Sequence, residues 1–315
     1  MSSRDLRYDV TTLATSAGRM VGTAGHAAAR GYLGERLAGL GLDPYGERFE
    51  LPYTVEGAQL CNVIGVAPGT RPELAPIVLA AHYDTCGPLP GADDNAAAIA
   101  IALEVAARLR ADPIARGVVI ALFDGEEPPH YLSPAMGSIH WYHHQRRALV
   151  HCAVVLDLVG HDVPVPGIED LVFVTGMESD PELVLDLEGV SETVRVQPVL
   201  NRYVGDLSDH HVFRAHERPF LFLSCGRWEH YHMPTDTPDR LNYEKMVGIA
   251  ELVDLLLRRV DASELRGPFE GGDTLALELA GIERHFGKLL GRAARLVGRT
   301  GVDAFVRMAM AGFGI

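Results

Sequence analysis

The chain of 315 residues exceeds the usual size of one domain, so its length allows either one large α/β domain with additions or two domains. A hydrophobic content of 47% with 22% charged residues is typical of a folded globular protein and excludes long disorder. The net charge of −14 excludes a nucleic-acid partner, because such a partner needs basic side chains that displace the counterions of the phosphates.

Signals for export or membrane insertion are not recognisable in the sequence. The polar residues 1–8 precede no apolar segment typical of a signal peptide, and no apolar run reaches the ~20 residues that cross a bilayer. Cysteines without a CxxC pair indicate reduced thiols in such a chain. We therefore predict a cytoplasmic protein without a membrane partner. Cys86 lies close to the motif at His82 and could approach the site, although a free cysteine is usually a small core residue.

Short apolar runs alternate with helical patterns along most of the chain. Helices are predicted over residues 25–40, 94–110 and 138–148, and from a cap at Asn242 to about Arg259. Strands are predicted at Gln59–Val66, Ile77–Ala81, Gly117–Phe123, Ala153–Val159, Leu171–Thr175, Thr193–Pro198 and Pro219–Ser224.

This alternation of strands and helices indicates an α/β fold. We predict a mixed, largely parallel central sheet flanked by helices on both faces, with an extra helical segment at the C-terminus. In such folds the ligand site lies outside the carboxyl ends of the strands. Polar residues that directly follow the strands are therefore the first candidates for chemistry.

The C-terminal part of the sequence has a different pattern. After a predicted linker at Gly267–Gly272, apolar residues recur at alternating spacings of four and three on one predicted helix over residues 273–298. This stripe consists of Leu275, Leu279, Ile282, Phe286, Leu289, Ala293 and Leu296. The helix can pack on its own domain or form a homodimer contact. We place a catalytic domain at residues 1–262 and a helical extension at residues 268–315.

Three predicted strands end in carboxylates or an imidazole where apolar residues are expected. The first runs into His82 and Asp84, the second into Glu126 and Glu127, and the third into Asp157. An ionised carboxylate in such a place is costly unless it is paired or binds a metal. Because few Lys or Arg residues lie beside these side chains, the three strand ends together suggest a shared cation.

The spacing of these residues suggests individual roles. His82 and Asp84 share one face of an extended chain, so His82 is a candidate ligand and Asp84 the carboxylate that orients its ring. Asp94 opens the alanine-rich helix, where an acidic residue either caps the helix or ligates a metal. Of the adjacent Glu126 and Glu127, one can ligate a metal while the other acts as a general base.

Two later segments supply further candidates. In the loop after the last predicted strand, His230 and His232 are both sterically possible ligands, with Tyr231 between them. Upstream, a polar segment that includes Asp209 and His210 could line the pocket. The remaining histidines lack a carboxylate-rich context in the sequence and are interpreted as structural or exposed.

Taken in order, six motifs resemble those of the dizinc aminopeptidases of metallopeptidase family twenty-eight. They are HYD at 82–84, GADDN at 91–95, DGEE at 124–127, LDLVG at 156–160, SDHHVF at 208–213 and YHMPTDTPDRL at 231–241. The resemblance begins near Gly18 and extends to about Leu256. Each motif alone is weak evidence, whereas six in the right order at compatible intervals are specific.

The resemblance implies an exopeptidase that binds two Zn²⁺ and removes residues from the free N-terminus of a peptide substrate. It places His82 and Asp157 on one zinc and Glu127 and His232 on the other. Asp94 would bridge the two metals. Mixed histidine and carboxylate ligands with open positions fit catalytic rather than structural zinc.

The same resemblance implies roles for residues around the metals. Glu126 would act on a hydroxide shared by the two metals, first as general base and then as general acid toward the leaving amine. Asp84 would be the second catalytic residue, because it orients the first histidine ligand. Asp209, His210 and Tyr231 would contact the substrate.

The segment after Glu127 is longer here than is usual in those peptidases. This insert, residues 128–136, resembles the zinc glutaminyl cyclases, which share the fold and cyclise an N-terminal glutamine on a single zinc. In that alternative Asp94, Glu127 and His232 would hold the one zinc, and Glu126 would shuttle protons.

Four other residues bear on the choice between peptidase and cyclase. In the cyclase alternative, Asp157 and Asp209 would serve the active site without a second metal. Asn95 follows Asp94 as in the peptidases, and Tyr231 stands where the cyclases resemble one another in having Trp. These two positions favour the peptidase.

Two further functions stay open at this point. A relative without metal could act as a binding module, although the complete set of ligands and the base argues against it. A carboxypeptidase would need a cation for the carboxylate of its substrate, and Arg202 or Arg227 could supply that charge.

Overall fold

The computed structural model describes residues 3–265, 271–290 and 298–313 and contains the predicted alternation of strands and helices. The strands are β1 (Asp43–Pro44), β2 (Glu50–Val55), β3 (Ala58–Ala67), β4 (Ile77–His82), β5 (Val118–Phe123), β6 (Cys152–Leu156), β7 (Leu171–Thr175), β8 (Arg195–Pro198) and β9 (Phe220–Ser224). The α-helices are α1 (Ser3–Leu13), α2 (Ala24–Gly39), α3 (Ala97–Ala111), α4 (Gly137–His140), α5 (Asn201–Val204), α6 (His210–Ala215), α7 (Tyr243–Ala262), α8 (Leu275–Leu290) and α9 (Gly298–Phe313). Short π-helical turns at Ala92–Ala96 and Trp141–Gln145 precede α3 and follow α4.

The strands form one mixed sheet in the order β1-β3-β5-β4-β6-β9-β7-β8, with β2 also paired to β3. Its centre is parallel, because the four adjacent strands β5, β4, β6 and β9 run in the same direction as one another. Antiparallel pairs lie toward the edges, between β3 and its neighbours and between β7 and β9. The predicted fold class is thereby confirmed.

Strand β4 shows how both faces of this sheet are covered. Ile77, Leu79 and Ala81 pack into a core with α1, α3 and α7, whereas Val78 and Ala80 point into a second core on the opposite face. Alternate side chains of a strand lie on opposite faces, so a strand that is buried on both must be apolar throughout. The polar residues that follow such strands therefore mark a real change of environment.

Two of the predicted boundaries that differ in the structure lie where chemistry was expected. The helix predicted over residues 94–110 becomes regular only at Ala97, because Asp94 has non-helical backbone angles (φ −109°, ψ 79°). The strand predicted to continue to Val159 ends at Leu156. Asp94 therefore lies before the regular part of α3, and Asp157 lies just after the end of β6.

Some elements were not predicted from the sequence. These are α1, β1, β2, α5 and α6, whereas α9 lies within the segment predicted as a helical extension. Helix α1 carries a recognisable signal, since Leu6, Val10 and Leu13 recur at spacings of four and three and are all buried. The two-residue strand β1 and the one-turn helix α5 are too short to produce a periodic pattern.

The helix predicted in the tail is observed as α8, while residues 291–297 and residues 266–270 of the predicted linker lie outside the described residues. Ile282 and Phe286 of the apolar stripe are 2% and 4% exposed and pack into the chain's own core. A homodimer contact through this helix and the domain boundary after residue 262 stay predictions. Within the described ranges, no helix is long and apolar enough to span a membrane.

Candidate metal centre

The ends of three parallel strands bring the predicted site residues to one edge of the sheet. His82 is the last residue of β4 and pairs with Phe123, the last residue of β5. On the other side of β4, Ala80 pairs with Val155 of β6, and this register places Asp157 level with His82. The carboxyl ends of the strands thus gather these side chains, as expected for an α/β sheet.

A first group of possible ligands, the His82 sub-site, consists of His82, Asp94 and Asp157. Nε2 of His82 lies 3.2 Å from Oδ1 of Asp94 and 3.7 Å from Oδ1 of Asp157. Nε2 of His82 and Oδ1 of Asp157 are buried without a hydrogen-bond partner among the described residues. Buried polar atoms normally have partners, so these atoms indicate a site for a cation.

A second group, the His232 sub-site, shares Asp94 with the first. Nε2 of His232 lies 3.0 Å from Oε1 of Glu127 and 3.1 Å from Oδ2 of Asp94. The two oxygens of Asp94 therefore face different histidines, one in each sub-site. The alternative ligand His230 instead contacts Thr235, with 2.9 Å between Nδ1 and Oγ1. Of the two histidines in this loop, the structure brings His232 to the cluster.

The backbone around Asp94 is held by carboxylate and amide side chains. Asp236 accepts the backbone N–H groups of Asp93 at 2.9 Å and of Asp94 at 3.1 Å. The Asn95 amide donates to a carbonyl at the end of β6 over 3.0 Å. The alternative of Asp94 as a helix cap is not observed, since Ala96 occupies the N-cap position of α3.

Arg19 is a buried residue near this turn whose role the sequence did not reveal. Its guanidinium donates at 2.7–3.0 Å to the backbone carbonyls of Leu13, Tyr83, Pro90 and Gly91. Burial lowers the pKa of Arg19 to about 10, while the surrounding carboxylates oppose this shift. Because most of its partners are distant in the sequence, no local pattern could have identified Arg19.

Asp84 faces His82, as predicted, and also positions the two glutamates. Its Oδ1 lies 3.5 Å from Nδ1 of His82, and its two oxygens accept the backbone N–H groups of Glu126 and Glu127 at 3.1 and 3.0 Å. Glu127 reaches His232, whereas Oε2 of Glu126 stays 3.9 Å from Nε2 of His82. One carboxylate thus fixes a turn from which the adjacent glutamates reach different histidines.

The cluster contains several buried carboxylates but few positively charged groups that could balance them. Burial raises the pKa of Glu126 well above its usual range and that of Glu127 to about 8, and neighbouring carboxylates add to both shifts. Burial alone would lower the pKa values of the two histidines, but the adjacent carboxylates outweigh it. They raise the pKa of His82 strongly and that of His232 to about 10. A bound divalent cation would relieve the same repulsion.

A cavity of about 320 Å³ lies against the cluster and is lined in part by Glu126, Tyr231 and Arg227. The guanidinium of Arg227 lies 4.8 Å from the ring centroid of Tyr231, which itself stacks on His232. Tyr231 thus lines the cavity beside His232, and its contact with substrate stays a prediction. Of the two candidate arginines, Arg227 is at the cavity, whereas Arg202 pairs with an aspartate of α9.

The structure does not bring Asp209 and His210 into this cavity, contrary to expectation. His210 stacks on Phe222 with ring centroids 4.2 Å apart, and its Nε2 lies 2.9 Å from a backbone carbonyl. Burial lowers the pKa of His210 to about 4 and raises that of Asp209 to about 7. His210 is the first residue of α6, and the packing of α6 against β9 turns its side chain into the core. The charge of Asp209 still raises the pKa of Glu126.

Cys86 does approach the cluster, as its sequence position suggested. Its sulfur lies within 4.8 Å of ligand atoms of Glu127 and His232. Burial raises the pKa of this thiol to about 11, and the negative charge of Glu127 adds to the shift. Cys86 is therefore a thiol at the border of the His232 sub-site.

Two histidines outside the centre have carboxylate partners that the sequence did not reveal. His26 pairs with Asp124 at 2.8 Å and His161 with Asp93 at 2.7 Å, and all four side chains are buried. The sequence favoured a structural or exposed role for them, and in the structure both are buried beside a carboxylate. The partners are separated by 98 and 68 positions and become neighbours only in the folded chain.

The donor atoms present fit zinc, which binds imidazole nitrogen and carboxylate oxygen. Possible ligand atoms of His82, Asp94 and Asp157 all lie within 4.8 Å of one another, and those of His82, Glu126 and Glu127 do so as well. Fold and site together define an α/β protein with a two-part cluster of possible metal ligands at the carboxyl ends of parallel strands.

Comparisons with known proteins agree with this class. Residues 62–256 match Peptidase family M28 over more than half of the chain. The chain therefore belongs to peptidase family M28, as the six motifs predicted. It is also similar to the protein YfbL of Escherichia coli (strain K12), with 29% identity over 214 residues. That match covers 58% of this chain and 66% of YfbL, just under two thirds of the relative's length.

Solved structures with this fold include both peptidases and cyclases. The glutaminyl cyclase of Fimbriiglobus ruber superposes with a TM-score of 0.67 at 22% identity, covering 84% of this chain and 96% of that one. A leucine aminopeptidase precursor from Bacteroides thetaiotaomicron VPI-5482 gives a TM-score of 0.65 at 19% identity, covering 84% of this chain and 98% of that one. At these identities the likeness establishes the fold and does not distinguish the two activities.

Proposed function

We propose that the protein is a zinc-dependent aminopeptidase that holds two Zn²⁺ and removes residues from the free N-terminus of peptides. One observation carries the proposal: the two carboxylate oxygens of Asp94 face His82 and His232, at 3.2 and 3.1 Å. Each histidine also faces a second carboxylate, Asp157 in one sub-site and Glu127 in the other. These five residues would hold the metals.

Glu126 is the residue in position to move protons. Bound zinc would supply Lewis acidity that polarises the scissile carbonyl and acidifies water. Oε2 of Glu126 lies near the cluster without being among its closest contacts, so this carboxylate can take the proton of the attacking water. It then delivers that proton to the amide nitrogen as the carbon–nitrogen bond breaks. Asp84 holds the Glu126 backbone in place over 3.1 Å.

The lining of the cavity supports an N-terminal rather than a C-terminal cleavage. Its acidic lining residues are Asp94, Glu126, Glu127 and Asp157, and the one arginine among the described lining residues is Arg227. A C-terminal carboxylate would have to be bound by Arg227 alone, whereas a free α-ammonium group needs no cation in the lining. The scarcity of cationic side chains in the described lining therefore favours the aminopeptidase.

A second candidate is a glutaminyl-peptide cyclotransferase with a single zinc. It is favoured by the contacts of His232 with Glu127 and Asp94, which at 3.0 and 3.1 Å are the shortest in the cluster. The position of His82 disfavours this candidate. A single-zinc cyclase would not need His82 as a ligand, yet the unpaired Nε2 of His82 faces Asp94 and Asp157.

Metal analysis combined with parallel assays tests the proposal. We expect protein reconstituted with zinc to hold two metals per chain and to release nitroaniline from an aminoacyl-anilide. One zinc together with cyclisation of a glutaminyl peptide would instead establish the second candidate. Release of the C-terminal residue from a peptide with a blocked N-terminus and a free carboxylate would indicate a carboxypeptidase. A protein that binds no zinc and has none of these activities would indicate a binding module.

Asp236 is expected to support metal binding without contacting the metals. Replacing Asp236 with Ala removes the acceptor of the Asp93 and Asp94 amides, so we expect zinc affinity to fall about 10- to 100-fold. Competition with a chromophoric chelator measures this affinity. Asp239→Ala, an exposed substitution in the same loop, is the matched control. Equal affinities in the two variants would show that Asp94 is positioned by other contacts.

A further inference from the structure

We infer that α8 and α9 form an apolar wall of the substrate cavity, and that this wall selects peptides with a bulky apolar N-terminal side chain. The inference rests on the proposed aminopeptidase function. Both helices lie outside residues 62–256, the region that matches the family. The wall is therefore a property of this chain's own C-terminal segment.

The cavity that contains the candidate centre continues onto the two helices. Ile282 and Phe286 of α8 and Phe305 and Val306 of α9 line the same cavity of about 320 Å³ as the acidic residues of the cluster. All four apolar side chains are buried, at 2% to 8% exposed. A substrate whose scissile bond lies at the cluster would therefore place a neighbouring side chain within reach of this wall.

The helices are held against the sheet by close packing and by ion pairs. A Cβ atom on Gly281 would lie only 2.6 Å from Oε1 of Gln197, so the glycine allows α8 to approach β8 closely. Glu278 of α8 pairs with Arg299 of α9 at 2.8 Å, and Asp303 of α9 pairs with an arginine of α5. The wall is thus attached to the catalytic sheet at both helices.

The size and chemistry of the cavity define its occupant. A volume of about 320 Å³ lies at the lower end of the ~300–1,000 Å³ typical of small-ligand pockets, which suits one large side chain with its adjoining backbone. Beyond the acidic cluster, Arg227 is the one charged side chain among the described lining residues. A lysyl or arginyl side chain would lose its hydration against the apolar wall without gaining a partner there.

Four aminoacyl-anilides distinguish this specificity in the zinc-loaded full-length protein. We expect leucyl- and phenylalanyl-anilides to have kcat/KM values about tenfold or more above those of alanyl- and lysyl-anilides. Equal values for all four, or a preference for the lysyl substrate, would overturn the inference while leaving the aminopeptidase function intact. No cleavage of any anilide would contradict the aminopeptidase function itself, and the inference with it.

Substitutions in the wall test whether α9 causes the preference. Val306→Trp fills the cavity, so we expect the leucyl-to-alanyl ratio of kcat/KM to fall about tenfold. Met308→Trp is the matched control, because it adds the same ring to the same helix at a position that is 59% exposed. Similar ratios in both variants would contradict a role of the wall.

A variant that enlarges the cavity keeps the inference testable if the tryptophan disturbs folding. Phe286→Ala should increase kcat/KM for a naphthylalanyl-anilide relative to the leucyl-anilide, because it removes a ring from the opposite helix of the wall. Thermal unfolding followed by circular dichroism identifies folded variants. A folded Phe286→Ala protein with the specificity of the unmodified enzyme would overturn the inference.

Discussion

Replacing Glu126 with Gln is expected to lower turnover about 10²- to 10⁴-fold while both metals stay bound. The amide has nearly the shape of the carboxylate but cannot accept the proton of the attacking water. Its backbone N–H still donates to Asp84, so the turn is expected to keep its geometry. Steady-state kinetics on an aminoacyl-anilide, together with metal content per chain, measures the two parts of this expectation.

The adjacent glutamate provides the matched control for this experiment. Glu127→Gln introduces the same amide one position further along, where the side chain contacts His232 at 3.0 Å instead of moving protons. This variant should lose metal from the His232 sub-site, and activity should recover in part at high zinc concentration. Near-normal turnover of Glu126→Gln, or recovery of its activity by added zinc, would contradict the role assigned to Glu126.

Replacing Asp94 with Asn is expected to weaken both metal positions together. Each carboxylate oxygen faces one histidine, and an amide would turn an N–H₂ donor toward one metal while removing negative charge from both. Loss of a residue that only supports a ligand typically lowers metal affinity about 10- to 100-fold, so loss of a shared ligand should exceed about 100-fold. Zinc titration should accordingly show no tight site, and turnover should fall below detection.

Variants of the two histidines test whether Asp94→Asn weakens zinc binding because Asp94 is a ligand of both metals. His82→Ala and His232→Ala should each remove one sub-site and retain about one zinc per chain. If Asp94→Asn instead retains one tight zinc like either histidine variant, then Asp94 serves a single metal. That outcome would support the one-zinc alternative.

Candidate chemistry was recognisable in the sequence because the strands are buried on both faces. In β4 and β5 every residue before the strand end is apolar, so His82 and the acidic run that follows Phe123 stand out as departures. The same logic identified Asp157 after β6. Asp209 and His210 had no such strand before them, and they are not among the described residues that line the cavity.

Tail residues illustrate a different limit of sequence patterns. The spacing of Ile282 and Phe286 correctly predicted a helix with one apolar face, but periodicity does not specify what covers that face. In the structure these side chains pack on their own chain and line the cavity beside the candidate metal centre. Val199, Val204 and Leu207 also contribute to this lining, whereas no residue of the insert at 128–136 is among the described lining residues.

The sequence by itself determined the α/β class, the family and the positions of the metal-binding candidates, because apolar runs and the polar residues that end them are local features. Only the tertiary structure decided that Asp94 stands between the two histidines, that Asp236 and Arg19 hold its turn, and that helices from the end of the chain close the cavity. These contacts join residues far apart in the chain, and they exist only once strand order and register bring the strand ends and loops to one edge of the sheet.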